Sequence, residues 1–380
     1  MKPTKIKVTL TKDKVFIFDA RLSFLLWTCV TLFFPLIALI KESLIPRYFF
    51  LDANTIQNFM LRNTPMTVGD SYASTAAFYN FFNVARDSFF FPLISSVIII
   101  SFFFTVMKRA KPGRLTLIEF GTYLYYILLA IVYMSLLSKD FIVMLMLIPF
   151  MFFAKRGVPG LLTWSLLVIF YGVYFRSYWF LVLAMFWGLY LIFRFIKNPR
   201  NMFLIVFFVL FALAIVFSAA MGVDVDNFRT IVNDVRLDAG QQGADSMITS
   251  IIPGGGFIVG WLNVCLTWLF LMVPMPLILA LSPYYMVISF FLIFLYFKFW
   301  QATKQELIHK RDPVLRSVIC LIVAFTAIQS VFEPDYGSYV RHLAPFYPLF
   351  FYAVFSTSWL REAEDIQDDE NENITLRGNH

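Results

Sequence analysis

Residues 158–193 read VPGLLTWSLLVIFYGVYFRSYWFLVLAMFWGLYLIF, with Arg176 as their single charge. A helix crosses a bilayer core in about 20 apolar residues. The stretch is too long for one crossing and reads as two, 158–175 and 177–193, joined at Tyr171-Gly-Val-Tyr-Phe-Arg-Ser-Tyr-Trp179 with almost no loop. An Arg in such a turn costs about 2.5–3.5 kcal/mol at mid-bilayer and less near the interface. Snorkelling anchors explain many such residues, but they belong mainly to cytoplasmic loops. Arg176 falls on the other side by the count below, so it reads as functional.

Moving outward, the same texture fills the chain. Further apolar runs cover 22–40, 89–107, 115–137, 141–154, 202–220, 257–297, 317–332 and 343–360. Hydrophobic residues make up 60% and charged residues 14%, which excludes a soluble domain. The formal charge of +7 is therefore no nucleic-acid signal. Cys29, Cys265 and Cys320 all lie within apolar runs and read as packing residues rather than disulfides. The first run follows a basic segment without a small-residue cleavage site and reads as a retained helix.

Lys and Arg orient the spans. Lys2, Lys5, Lys7, Lys12, Lys14 and Arg21 precede the first run; Lys108, Arg109, Lys111 and Arg114 follow the second; Lys155 and Arg156 follow 141–154. Arg194, Lys197 and Arg200 continue the series, as do Lys298, Lys304, Lys310, Arg311 and Arg316. All fit cytoplasmic loops and a cytoplasmic N-terminus. The run 257–297 must then cross an odd number of times, although it is long enough for two crossings. One crossing plus a re-entrant or broken segment satisfies this, with breaks at Gly254-Gly255-Gly256, Pro274 and Pro276. A plain hairpin turning at Ser282-Pro283 is the alternative. The expectation is about ten spans with both termini cytoplasmic. The basic segment 1–21 leads into a transmembrane domain 22–360 with external loops 41–88, 221–256 and 333–342, followed by an acidic disordered tail 361–380.

The external loops hold the chemistry. In 221–256, Phe228, Ile231, Val232 and Val235 share one helical face, and Arg229, Asn233 and Arg236 the other. Two guanidiniums on one face suit phosphate oxygens; a solvated face balanced by Asp226 and Asp234 is the plainer reading. Asp70, Tyr72 and Tyr79 pair an acid with aromatics, as sugar sites do, though turns and helix caps use the same residues. Lys139 and Asp140 start another span, and their mutual pairing would hold neighbouring spans together. Glu333-Pro-Asp-Tyr-Gly-Ser-Tyr-Val-Arg-His342 brings Glu333, Asp335, Arg341 and the external His342 within ten residues. His342 has the pKa range of a general base, and no set of ligands for a metal is apparent.

The many spans, Gly69-Asp70-Ser71-Tyr72, the Ser-Lys-Asp-Phe turn at 138–141, the Tyr-Phe-Arg-Ser-Tyr-Trp segment and Glu333-x-Asp335…Arg341-His342-x-x-Pro345-x-x-Pro348 resemble the Wzy/EpsG-like polymerases of bacterial surface polysaccharides. The resemblance covers most of the chain in layout, on short motifs. It implies a bacterial inner-membrane enzyme that joins oligosaccharide repeat units carried on undecaprenyl diphosphate into O-antigen, capsule or exopolysaccharide at the periplasmic face. Its helical core would be similar to that of lipid-linked-sugar glycosyltransferases, and a chain-length regulator and a flippase would be its partners.

A diphosphate-linked sugar is already activated, so preorganised Arg can neutralise the leaving group with neither metal nor cofactor. Arg176 and Arg341, joined by Arg229 or Arg236, are the expected diphosphate ligands. Glu333 is the first choice for the acceptor's base, with Asp70 and His342 as alternatives. Tyr72, Tyr178, Trp179, Asp335 and Tyr336 are the expected sugar contacts. An O-antigen ligase is the nearest enzyme alternative, and a non-enzymatic flippase or transporter the other. Ligases usually place a functional His in the large external loop, which has none here. Transporters carry internal repeats with paired broken helices, and one broken region is visible.

Overall fold

The structure is a computed structural model that describes residues 15–17, 20–44, 50–84, 89–110, 114–238, 246–310 and 312–357. Most of the expected N-terminal basic segment and the acidic tail 361–380 lie outside the described residues. The apolar runs become α1 (Ala20–Leu44), α4 (Phe90–Ala110), α5 (Leu117–Met134), α6 (Lys139–Ala154), α7 (Gly157–Tyr174), α8 (Trp179–Ile192) and α9 (Pro199–Met221). The long run splits into α11 (Phe257–Met272), α12 (Met275–Leu279) and α13 (Pro283–His309); α14 (Pro313–Phe332) follows, and α16 (Tyr347–Ser356) closes the described chain. Four helices occupy the loops: α2 (Leu51–Leu61), α3 (Ser71–Phe81), α10 (Asn227–Asp238) and α15 (Tyr336–Leu343). A small antiparallel ribbon, β1 (Val15–Ile17) with β2 (Arg114–Thr116), sets Phe16 opposite Leu115; neither it nor the α2–α3 pair was expected from the sequence.

Seven helices (α1, α4, α5, α7, α9, α13 and α14) are long and apolar enough to cross a membrane, and α8 and α11 are shorter apolar helices. The chain is a helical membrane protein. Local sequence explains the starts. Thr116 and Glu119 form a capping box on α5, Ser138 caps α6 through Phe141 N–H, and Asn198 caps α9 ahead of Pro199.

Contacts give the directions. Phe291 stacks on Tyr125 at 3.9 Å while Lys298 pairs with Glu119 at 2.8 Å, so α13 runs antiparallel to α5 and starts where α5 ends. We call that end of the bundle upper. Phe203, near the lower start of α9, packs on both Trp268 of α11 and Trp300 of α13. Hence α11 descends, and the chain returns through 273–282 before α13 descends in turn. Pro274, Pro276 and a left-handed Leu281 (φ 51°) break that return. It is the broken segment expected between two ordered helices, and Pro283 starts α13 after its Ser282 cap.

α14 is the hub. Its face toward every neighbour is buried, and 94% of its apolar window is enclosed by other helices. The run 343–360 proves divided: α15 lies across the upper end, residues Ala344–Phe346 make a 3₁₀ turn at Pro345, and α16 descends beside α4 and α13. Helices α6 and α8, of 16 and 14 residues, span about 24 and 21 Å. Both fall short of a roughly 30 Å hydrocarbon core, which leaves a recess at the upper end.

Candidate functional site

Three chain reversals line this recess. At the α5–α6 turn, Tyr79 of α3 donates its hydroxyl to the Ser138 carbonyl (2.8 Å) and accepts from Ser138 N–H (3.0 Å), clamping α3 over the start of α6. At the α7–α8 turn, a Cβ on Gly172 would lie 3.0 Å from the Phe180 ring, so a glycine lets the two helices close tightly below Arg176. α15 buries Tyr336, Tyr339, Val340 and Leu343 at i, i+3, i+4 and i+7 and turns Arg341 and His342 toward the recess. Asp335 caps it through Ser338 N–H (2.7 Å), and Ile248 N–H and Ser246 C=O hold its start to Pro334 and Tyr336.

The result is a continuous charged cluster. Arg176 Nη1 donates to Asp140 Oδ1 and to the Tyr178 hydroxyl, each at 3.2 Å, and its Nη2 lies 3.0 Å from His342 Nε2. His342 Nδ1 lies 2.8 Å from Glu333 Oε2. Arg341 pairs with Asp52 Oδ2 at 2.8 Å and reaches Asp140 Oδ2 at 3.6 Å. Tyr72 donates its hydroxyl to Asp52 at 2.7 Å, and the Lys139 ammonium sits over the Tyr72 ring at 3.4 Å. A narrow cleft, open at its mouth, runs between α2 and this cluster, lined by Phe50, Asp52, Tyr133, Lys139, Asp140, Arg176 and Arg341.

Protonation follows from the partners. Arg has donors only, so His342 Nε2 presents its lone pair to Arg176 and Nδ1 carries the proton donated to Glu333. Burial, and then the Arg176 charge, holds His342 well below its ordinary value near 6.5, which keeps the ring neutral. Burial, with Asp335 adding to it, pushes the Glu333 carboxyl up to about 8. Asp52 goes the other way: burial would raise it, but Arg341 and Lys139 together hold it below the usual carboxylate range. Tyr178 accepts from Arg176 and from Gln329 Nε2 (3.2 Å), so its own O–H remains to donate.

Of the residues singled out in the sequence, Arg176, Arg341, Glu333, His342, Tyr178, Tyr72, Lys139 and Asp140 meet here. Lys139 and Asp140 do not clamp two spans by pairing with each other: Asp140 takes the arginines, and Lys139 has no ion pair within 4 Å among the described residues. Glu333, only 1% exposed, stands behind His342 rather than at the cleft. Asp70 caps α3, accepting from Tyr72 and Ala73 N–H, and Asp335 caps α15. Trp179 is wholly enclosed by Tyr171, Phe325 and Phe346, with no face left for a sugar. Tyr336 is likewise buried.

Arg229 is in a different network. Only 1% exposed, it donates to Thr267 Oγ1 and to the Ser330 carbonyl (3.0 Å), so the polar face of α10 seals onto α11 and α14 while Ile231 and Val232 face outward. An amphipathic helix at a membrane surface gains by that orientation, because its apolar face meets lipid and its polar face finds protein partners. The side chain of Arg236 lies outside the described residues.

Two members of the cluster escaped the sequence reading. Asp52 stands in the first turn of α2, and the only signal was an acid opening a helix within an external loop. Gln329 is a lone amide in the apolar run 317–332, and an intramembrane polar residue of that kind is the signal that finds it. Among the described residues no group of three or more His, Cys, Asp or Glu is placed to hold a metal ion. Comparison with protein families, with curated proteins and with solved structures finds no match to this chain.

Proposed function

We propose that the chain is a polymerase of lipid-linked oligosaccharide repeat units, working at the periplasmic face of a bacterial inner membrane with the upper end of the bundle as that face. In this reading its layout of ten spans is similar to that of Wzy/EpsG-like enzymes. The observation that carries the proposal is the arrangement of Arg176 and Arg341 around Asp140 beside a neutral His342 oriented by Glu333.

The arrangement supports a division of labour. Arg176, Arg341 and Lys139 supply positive charge for a diphosphate leaving group, and the Tyr178 hydroxyl adds a donor. His342 Nε2 takes the proton as an acceptor hydroxyl attacks the anomeric carbon; the carbon–oxygen bond to the diphosphate breaks, and its electron pair leaves on the phosphate oxygen. An ionised Glu333 then stabilises the imidazolium through Nδ1–H. Glu333 thus moves from the first choice of base to the partner that orients it. Arg176 must release Nε2, and Arg341 must exchange Asp52, when substrate enters.

The test is a polysaccharide ladder gel from cells lacking the gene, complemented with the chain or with Arg176→Ala, Arg341→Ala or His342→Ala. Surface material capped by a single repeat unit, restored to a ladder only by the unaltered chain, is the expected result. Polymer left on the carrier lipid would mean a ligase, and units trapped on the cytoplasmic side a flippase. An unchanged ladder in the deletion, with no second polymerase gene, would sink the reading.

A further inference from the structure

The second external loop grips the chain on both sides of Glu333. Pro334 lacks an N–H and drives the residue before it out of helical geometry; Glu333 accordingly takes φ −77°, ψ 120° and ends α14. The Ser330 carbonyl, whose partner in a continuing helix would be residue 334, is left without a backbone donor. Arg229 of α10 supplies one at 3.0 Å. Past Glu333, the chain around Met247 runs antiparallel to that around Asp335. Ile248 N–H donates to the Pro334 carbonyl at 2.8 Å, and Tyr336 N–H to the Ser246 carbonyl at 2.9 Å. Asn233, one turn along α10 from Arg229, donates to the Ile248 carbonyl at 3.3 Å and ties the two grips together. The segment is thus held three residues before Glu333, one residue after it and three after it.

We infer that Arg229 is a positioning residue: by capping the last turn of α14 from α10, it sets where Glu333 stands behind His342. Its place in the reaction rests on the function proposed above, to which it adds a part for the second external loop without a contact to substrate. Arg229 is buried at a cost that a plain loop anchor does not require. Among the described residues it forms no ion pair within 4 Å, and its Nη2 has no hydrogen-bond partner. The carbonyl it holds stands where α14 enters the cluster. Gln329, beside Ser330, donates to the Tyr178 hydroxyl, and Glu333 Oε2 lies 2.8 Å from His342 Nδ1. A bond of that length tolerates little displacement of its acceptor, so loosening the turn at Ser330 acts on the imidazole through Glu333. Arg176 and Arg341, carried by other elements, keep their places.

The test uses the full chain in nanodiscs with isotope-labelled histidine, of which the sequence has three. The His342 Nδ1–H, bonded to a buried carboxyl group, gives a proton signal drawn downfield, and Arg229→Met should move it upfield. The substrate is the carrier-linked repeat unit extracted from cells lacking the gene. With it, Arg229→Met should lower kcat about tenfold and leave KM unchanged, because the diphosphate ligands are untouched. In a Glu333→Gln background the same substitution should cost less than about twofold more, since its effect passes through Glu333. A folded Arg229→Met chain with the signal unmoved and kcat unaltered would overturn the inference. Losses that multiply in the double variant would also overturn it, by showing an effect that bypasses Glu333. Should Arg229→Met fail to reach the membrane, Asn233→Ala cuts the same clasp at Ile248 and is read by the same signal and the same kcat. No turnover by the unaltered chain, with the signal still moved by Arg229→Met, would remove the polymerase reading and leave the placement of Glu333 by Arg229 standing.

Discussion

The two ends of the bundle handle charge in opposite ways. At the lower end, polar groups are used up locally: Glu119 closes the cap of α5 and pairs with Lys298, Asp312 caps α14 and accepts from Tyr352, and Arg109 donates to the Met151 carbonyl. At the upper end one carboxylate, Asp140, is shared by two arginines, and one of these also faces a neutral histidine. Helix caps and local pairs account for the groups of the first pattern. The second binds cations to one another's partners across α2, α6, α7, α8 and α15, at a cost that helix capping alone does not require. The contrast separates charge that builds the fold from charge held for a ligand.

The sharpest way to break the contrast is to mutate both ends. His342→Ala and Arg176→Ala are each expected to lower elongation by about 10²–10⁴-fold while the protein stays in the membrane, as read by reconstituted turnover and membrane fractionation. Arg109→Ala at the lower end is expected to leave turnover unchanged. Equal losses at both ends would erase the distinction.

A pH series sharpens it further. With Glu333 raised from its ordinary 4.5 to about 8, the folded state favours the protonated acid. That stabilising preference is complete below pH 4.5 and is lost as pH rises through 8, with a slope of up to about 1.4 kcal/mol per pH unit. Activity should run the other way, rising toward pH 8 as Glu333 ionises behind His342. Glu333→Gln should remove both limbs, seen by thermal melts and kcat/KM profiles.

Lys298→Met is expected to cost about 2 kcal/mol of stability, because it removes the ammonium 2.8 Å from the buried Glu119 carboxylate, with turnover unaltered. Asp52→Asn should be the mildest. Its pair with Arg341 is about one-third exposed on the Asp side, so stability should change by less than about 1 kcal/mol. Pyrophosphate affinity should rise severalfold, because Arg341 then has only the longer contact with Asp140, and not the 2.8 Å pair with Asp52, to give up.

Much of this was legible in the residues themselves. The run 202–220 became the body of α9, since Ser218 is its one polar side chain and Pro199 opens the helix just ahead of it. Arg176 stood out because a charge between two spans has no cheap explanation. What escaped depends on tertiary partners. Trp179 and Arg176 lie three residues apart in one aromatic segment, and only packing decides that the first is core and the second faces the recess. Asp70 and Asp335 are indistinguishable from site acids in sequence, because an N-cap and a ligand call for the same carboxylate. Arg229 reads as a surface phosphate ligand until α11 and α14 close over it.

The burial of α14 has a consequence for how the protein is made. Membrane helices are delivered in chain order, and α14 comes after α1 to α13 although α8, α11 and α16 all pack on it. A chain synthesised only as far as Lys310 lacks that hub. Gln329 and Glu333 have not yet arrived, and Tyr178 and Arg176 face a vacant centre. The cluster is completed only when α14 and α15 are in place, so a chain that stops short of them holds no assembled cluster.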